Sequence, residues 1–195
     1  MKKLLWLLPL STILAACPFE SKVPLAAAPS EQIDSTLLGY WYGIVKDGSD
    51  FFGIEALDIT KQSDSVYAIT RYGKAVKGDI ILPDTAYFTG YISSIGEQRF
   101  MNIEGFILFE TPRRNKQPEY RKEKVYYLSA FNRSNDTLSI KTITETFSPV
   151  RKDYKTPDDL RRVITDALHQ QKNIYDDLYS LSYRKISKPQ PLKSF

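Results

Sequence analysis

Few residues in this chain are equipped for chemistry, and the first question is whether any of them stand together. Its 195 residues include one histidine, His169, and one cysteine, Cys17. To act as a general base, His169 needs a nucleophile and an orienting carboxylate, and Thr165, Asp166 and Leu168 beside it make no such set. It reads as an exposed helix residue. Carboxylates are paired at Asp158-Asp159 and Asp176-Asp177. The first pair suits the start of a helix and the second an exposed connection after it. Neither has the regular oxygen ligands around a glycine that a calcium loop needs. One histidine and one cysteine are too few for a structural zinc site. The chain has no Gly-x-Ser-x-Gly elbow, no phosphate-binding Walker loop and no His-Glu-x-x-His pair. The expectation is a protein with no catalytic residues, no metal and no cofactor.

Cys17 has a different setting. Lys2 and Lys3 precede an apolar run from Leu4 to Ala16, a basic start and a short hydrophobic stretch in the order of a secretory signal. With Pro9 inside it, the run is marginally short for a stable membrane-spanning helix. Being the sole thiol, Cys17 has no disulfide partner. Leu14-Ala15-Ala16-Cys17 resembles the lipobox of bacterial lipoprotein precursors. The resemblance implies that residues 1–16 are a signal peptide and that Cys17 is acylated. It also implies that the chain is held at a membrane by its N-terminal lipid. Pro18 stands where an aspartate signals inner-membrane retention, which points to the periplasmic face of the outer membrane. Loss of Lys2 and Lys3 with the signal brings the formal charge down from +4, so nothing electrostatic argues for nucleic acid.

The elements that would position any site begin after a Pro-, Ala- and Ser-rich stretch. Residues 17–35 read as a lipidated tether reaching no farther than roughly 60 Å. Residues 36–187 read as one domain and 188–195 as a tail. Within the domain, alternating segments separated by turn residues predict strands over 37–46, 51–60, 66–72, 76–82, 85–93, 99–109, 123–131 and 137–147. Pro83-Asp84 divides the fourth from the fifth. The cationic stretch Arg113 to Lys122 reads as a solvated hairpin loop, with docking on anionic lipid or an acidic protein as its alternative. Thr156-Pro157-Asp158-Asp159 is a strong helix start. Leu160, Val163, Ile164, Ala167 and Leu168 then follow at helical spacing, with an end near Asn173. A last strand is expected over 178–186.

The order of strands, helix and final strand is that of the lipocalins and wider calycins. Leu38-Gly39-Tyr40-Trp41-Tyr42-Gly43 resembles the Gly-x-Trp signature that opens a lipocalin barrel. Gly39, Trp41 and Gly43 fall on one face, which leaves the indole room to close one barrel end. Gly90-Tyr91-Ile92-Ser93 and Arg99-Phe100-Met101-Asn102-Ile103 are similar to segments of bacterial lipocalin-like lipoproteins. The resemblance implies an all-β protein: an antiparallel up-and-down barrel with one C-terminal helix and a final strand. It also implies an arginine packed over Trp41, with Arg151 and Arg184 as candidates.

Thirteen tyrosines and ten phenylalanines leave two readings open. They fill a β core, or some of them, with Tyr67, Tyr87, Tyr91 and Tyr126 as candidates, line a cavity for a small apolar ligand. The leading expectation is a non-enzymatic, membrane-anchored lipocalin-like domain binding a small apolar ligand or a protein partner. The alternative is an inhibitor or immunity protein that neutralises a toxin or cell-wall-degrading enzyme. An enzyme using carboxylates or tyrosines in a barrel mouth is a third class.

Overall fold

The computed structural model describes residues 19–47, 51–77, 80–111, 119–144, 148–150 and 153–189. The signal peptide, Cys17 and residues 190–195 of the tail lie outside them. A two-residue strand β1 (Glu20–Ser21) comes first. It is followed by β2 (Gly39–Asp47), β3 (Phe51–Lys61), β4 (Tyr67–Lys77) and β5 (Ile80–Ile95). Next are β6 (Gln98–Thr111), β7 (Glu119–Ser134), β8 (Thr137–Ile143), helix α1 (Pro157–His169) and β9 (Tyr175–Ile186). From β2 to β8 each strand pairs antiparallel with the next, and β9 pairs with both β8 and β2. The result is a closed eight-stranded up-and-down barrel with one helix before its final strand, the lipocalin-like order expected from the sequence.

Side-chain alternation explains the closure. Along β2, Trp41 and Gly43 are buried while Tyr42 and Ile44 are exposed. Their partners continue the inward layer around the barrel, where Trp41, Leu57, Ile69, Met101, Leu138 and Tyr183 share one core. A second core lies on the outside of the wall. There Leu160, Ile164 and Ala167 of α1 cover the outward faces of Phe100 and Leu128. Thr156 caps the helix by accepting from the Asp159 N–H at 3.2 Å. The helix stops at His169, earlier than expected, because Gln171 turns the chain with φ +53°.

Two differences from the sequence reading matter. The expected strand over 76–82 is not an element of its own: β4 runs on through Gly73 and Lys74 to Lys77, and β5 begins at Ile80 and continues through Pro83, which lies opposite Lys74. The barrel therefore has seven strands before the helix. On its other side β5 pairs with β6 only from Thr89 opposite Glu104 onward. Pro83 thus sits on a free edge, where a missing N–H disrupts no ladder.

The stretch read as a tether is, from Phe19 on, part of the folded wall. Phe19 and Leu25 are buried beside α1. Glu20 and Ser21 lie opposite Tyr127 and Tyr126, and the Phe19 N–H donates to the Ile143 carbonyl at 3.1 Å. The buried Asn102 fastens the chain a few residues further on. Its Oδ1 accepts from the Leu25 N–H at 2.7 Å, and its amide donates to the Tyr91 carbonyl and the Ser93 hydroxyl. The Pro/Ala/Ser composition concealed these anchors because they are few and irregularly spaced.

Pairing is not uniform along the barrel. Within hairpins it runs to the tips, to Asp47 opposite Phe51, Lys77 opposite Ile80 and Thr111 opposite Glu119. Between hairpins, among the described residues, it stops at Ala56 opposite Tyr72 and at Thr89 opposite Glu104. Strands β2 and β9 part above Gly43 opposite Tyr183. One end is a continuous ring, and three two-stranded ribbons rise from it. The β6–β7 ribbon runs from Glu104 to Thr111, roughly 24 Å at about 3.4 Å per residue.

Candidate functional site

The closed end is filled and fastened from below. The Trp41 indole N–H donates to the Leu37 carbonyl at 2.8 Å. Gly39 has φ +126°, a conformation that favours glycine, and a Cβ there would lie 2.9 Å from Lys185 Cε and push that flexible side chain aside. The ammonium of Lys185 sits 5.2 Å from the Trp41 ring centre and donates to the Thr36 carbonyl at 3.0 Å. The cation over the tryptophan is therefore Lys185 and not Arg184, which lies opposite Tyr42 and Thr137 and is exposed on the outer face. Alternation along β9 decides this, because adjacent residues point to opposite sides. Arg151 lies outside the described residues.

Tyr67 is also fully buried in this end, and its hydroxyl oxygen accepts from the Asp34 N–H at 2.5 Å. The Asp34 carboxylate pairs with Arg99 at 2.9 Å, and the Arg99 guanidinium lies 4.8 Å from the Phe131 ring centre. Burial works to raise the Asp34 pKa, but hydrogen bonds from Thr36 and Arg99 outweigh it and hold the group below its ordinary range.

A polar cluster faces the lumen at the level where the hairpins part. The Tyr183 hydroxyl donates to Glu55 Oε1 at 2.6 Å, and Arg71 approaches Glu55 Oε2 at 3.5 Å. Gly43 lies opposite both Glu55 and Tyr183. A Cβ on it would meet the Ser182 carbonyl at 2.6 Å and the Tyr183 ring at 2.9 Å, so only glycine lets that ring lie across the lumen. Burial, reinforced by the Glu55 charge, pushes the Tyr183 pKa far up, so its hydroxyl stays a donor. The side chains of Glu55 and Arg71 retain 12% and 35% of their accessibility. The Glu55 carboxylate, the Arg71 guanidinium and the Tyr183 hydroxyl oxygen thus stand together inside the barrel. On another part of the wall, the Tyr127 hydroxyl donates to Glu20 at 3.3 Å.

The tyrosines singled out from the sequence do not converge. Tyr67 points inward but belongs to the filled end. Tyr87 is 78% exposed on the outer face. Tyr91 also faces outward, buried beneath the N-terminal segment, and donates to the Ala26 carbonyl at 2.6 Å. Tyr126 faces outward opposite Ser21. Sequence reasoning missed Glu55, Arg71 and Tyr183. The available signal was parity: Glu55 is a carboxylate in step with Leu57 and Ile59, on the face that turns to the core.

The residues weighed for catalysis are dispersed. His169 is exposed at the end of α1, while Asp159 accepts at the helix start from Arg162 at 2.9 Å. Asp176, read as part of an exposed connection, is buried on β9. Among the described residues no group of three His, Cys, Asp or Glu side chains is placed to hold a metal ion. The chain matches no family model, no curated protein and no solved structure.

Proposed function

We propose that this chain is a non-enzymatic binding protein of a bacterial cell envelope, and that its barrel takes a small, largely apolar molecule with one polar end. The observation that carries the reading is the Tyr183–Glu55–Arg71 cluster, set inside the barrel above an apolar floor and below the split end. A purely structural barrel gains little from a carboxylate and a guanidinium in its lumen, because desolvating them costs more than apolar filling would. A ligand with a hydrogen-bonding head engages the Glu55 carboxylate, the Arg71 guanidinium and the Tyr183 hydroxyl oxygen.

The same reading holds Cys17 as the acylated residue. Only Pro18 separates it from the buried Phe19, so the barrel sits against the lipid surface and does not swing clear of it. The inhibitor or immunity reading has an observation of its own, the exposed Ile44, Ile54 and Tyr120 on the ribbons, which suit a protein partner.

A thermal-shift screen of a Cys17→Ser chain against fatty acids, isoprenoids, aromatic acids and amines tests the ligand reading. A saturating ligand at about 100 times its Kd stabilises by about 2.7 kcal/mol. Arg71→Met removes that shift if the lumen is the site. A shift unchanged in Arg71→Met, or no shift with any class, counts against it.

A further inference from the structure

Two tyrosines pack against glycines inside the barrel, and they differ in what surrounds the carboxylate that each one meets. Tyr183 packs on Gly43 and donates to Glu55, and Arg71 stands beside that carboxylate. Tyr127 packs on Gly105, where a Cβ would lie 2.7 Å from its ring, and donates to Glu20 at 3.3 Å. Along β6, Gly105 is in step with Met101 and Ile103 of the inner core, so the Tyr127 ring lies on the lumen side. Glu20 is directly opposite Tyr127 in the β1–β7 pair, and residues opposite one another share a face. Its carboxylate therefore faces the lumen as well.

The segment that supplies Glu20 fills a gap in the wall. Strand β8 pairs with β7 no farther than Thr142 opposite Ser129. Because β6 holds the other side of β7 throughout, β1 takes the side that β8 leaves. In the closed ring β7 is the fourth strand from β3 in either direction. Glu20 and Glu55 therefore stand on opposite walls.

The charges on those walls do not balance. Arg71 offsets Glu55, Arg121 is paired with Glu123 at 2.5 Å, and Lys124 with Glu104 at 2.8 Å. Among the described residues, Glu20 has no cation within ion-pair distance, and its one hydrogen bond comes from Tyr127. An amide would accept from that hydroxyl equally well, without the cost of drawing a charge out of water. Burial, with the Glu20 charge adding to it, pushes the Tyr127 pKa up, so the hydroxyl remains a donor and adds no second negative charge. Beside the carboxylate the Tyr127 ring offers a face that attracts ammonium groups. Resting on the ligand reading above, we infer that the polar end of the ligand is cationic: the barrel takes an apolar amine, whose ammonium sits between the Glu20 carboxylate and the Tyr127 ring.

Calorimetric titration of the full Cys17→Ser chain with octylammonium, octanol and octanoate tests this, because the three share a tail and differ in the charge of the head. Octylammonium is expected to bind at least about tenfold tighter than octanol, with octanoate the weakest. Glu20→Gln keeps an acceptor for Tyr127 and removes the charge. It should bring octylammonium down to the affinity of octanol and leave octanol unchanged. Octanol or octanoate bound as tightly as octylammonium, or a preference that survives Glu20→Gln, overturns the inference. Where octanol or octanoate binds without that preference and is lost from Arg71→Met, this inference falls and the ligand reading stands. Binding by none of the three overturns both.

Discussion

The two ends of the barrel use the same strands and differ in what joins one hairpin to the next. At the closed end every hairpin is hydrogen-bonded to its neighbours, the lumen is packed around Trp41, and Lys185, Asp34 and Arg99 tie the chain across the opening. At the split end hairpins hold only themselves, and the lumen carries Glu55, Arg71 and Tyr183. Isolated two-stranded ribbons are marginal in water, whereas a paired ring over a packed core is not. Stability therefore concentrates at one end, and the other is held only by its own hairpins.

Changes that strike the closed end carry the largest effects. Trp41→Ala removes the indole and its hydrogen bond, and is expected to cost about 3–5 kcal/mol in chemical denaturation. Leu25→Ala, in the stretch whose composition suggests a tether, is expected to cost about 2–5 kcal/mol. An effect within about 0.5 kcal/mol would show that the N-terminal segment is dispensable. At the border of the two ends, Tyr183→Phe leaves Glu55 without its donor and is expected to cost about 1–3 kcal/mol.

Smaller still is the contribution of Asp34, which also has a pH signature. Its folded pKa is lowered, so its stabilisation is fully present above the ordinary carboxylate value of about 4 and is lost as pH falls through the lower folded value. Melting temperatures measured between pH 6 and pH 2 should fall less steeply for Asp34→Asn than for the native chain. The partly exposed pair with Arg99 limits the difference to about 1 kcal/mol. Ile54→Ser, on a ribbon and 47% exposed, should change stability by no more than about 0.5 kcal/mol. A large loss there would erase the contrast between the ends.

Local signals in the sequence disclosed the fold, and long-range ones stayed hidden. Strand order, closure and the helix start rest on local alternation and capping, and Trp41, Gly39 and Thr156 are legible by type and position. The barrel's strand count was misread at Pro83 because a proline ends a strand only where its N–H is needed, and pairing partners are not visible locally. Tyr91 illustrates a second limit. It faces outward yet is buried, since cover from a distant segment makes both sides of β5 apolar and erases the alternation that separates inside from outside. The lumen cluster draws Glu55, Arg71 and Tyr183 from three strands, the last of them 128 residues from the first, so no spacing rule joins them.

The central claim is that the split end admits a small molecule that is held by the Tyr183–Glu55–Arg71 cluster. Native mass spectrometry of the chain isolated gently from its own cells tests it most directly, run beside a Glu55→Gln, Arg71→Met double variant. The expected result is one bound molecule of fixed mass per native chain, absent from the folded variant. A native chain carrying nothing beyond its covalent N-terminal modification, or the same non-covalent adduct retained by the variant, would contradict the claim.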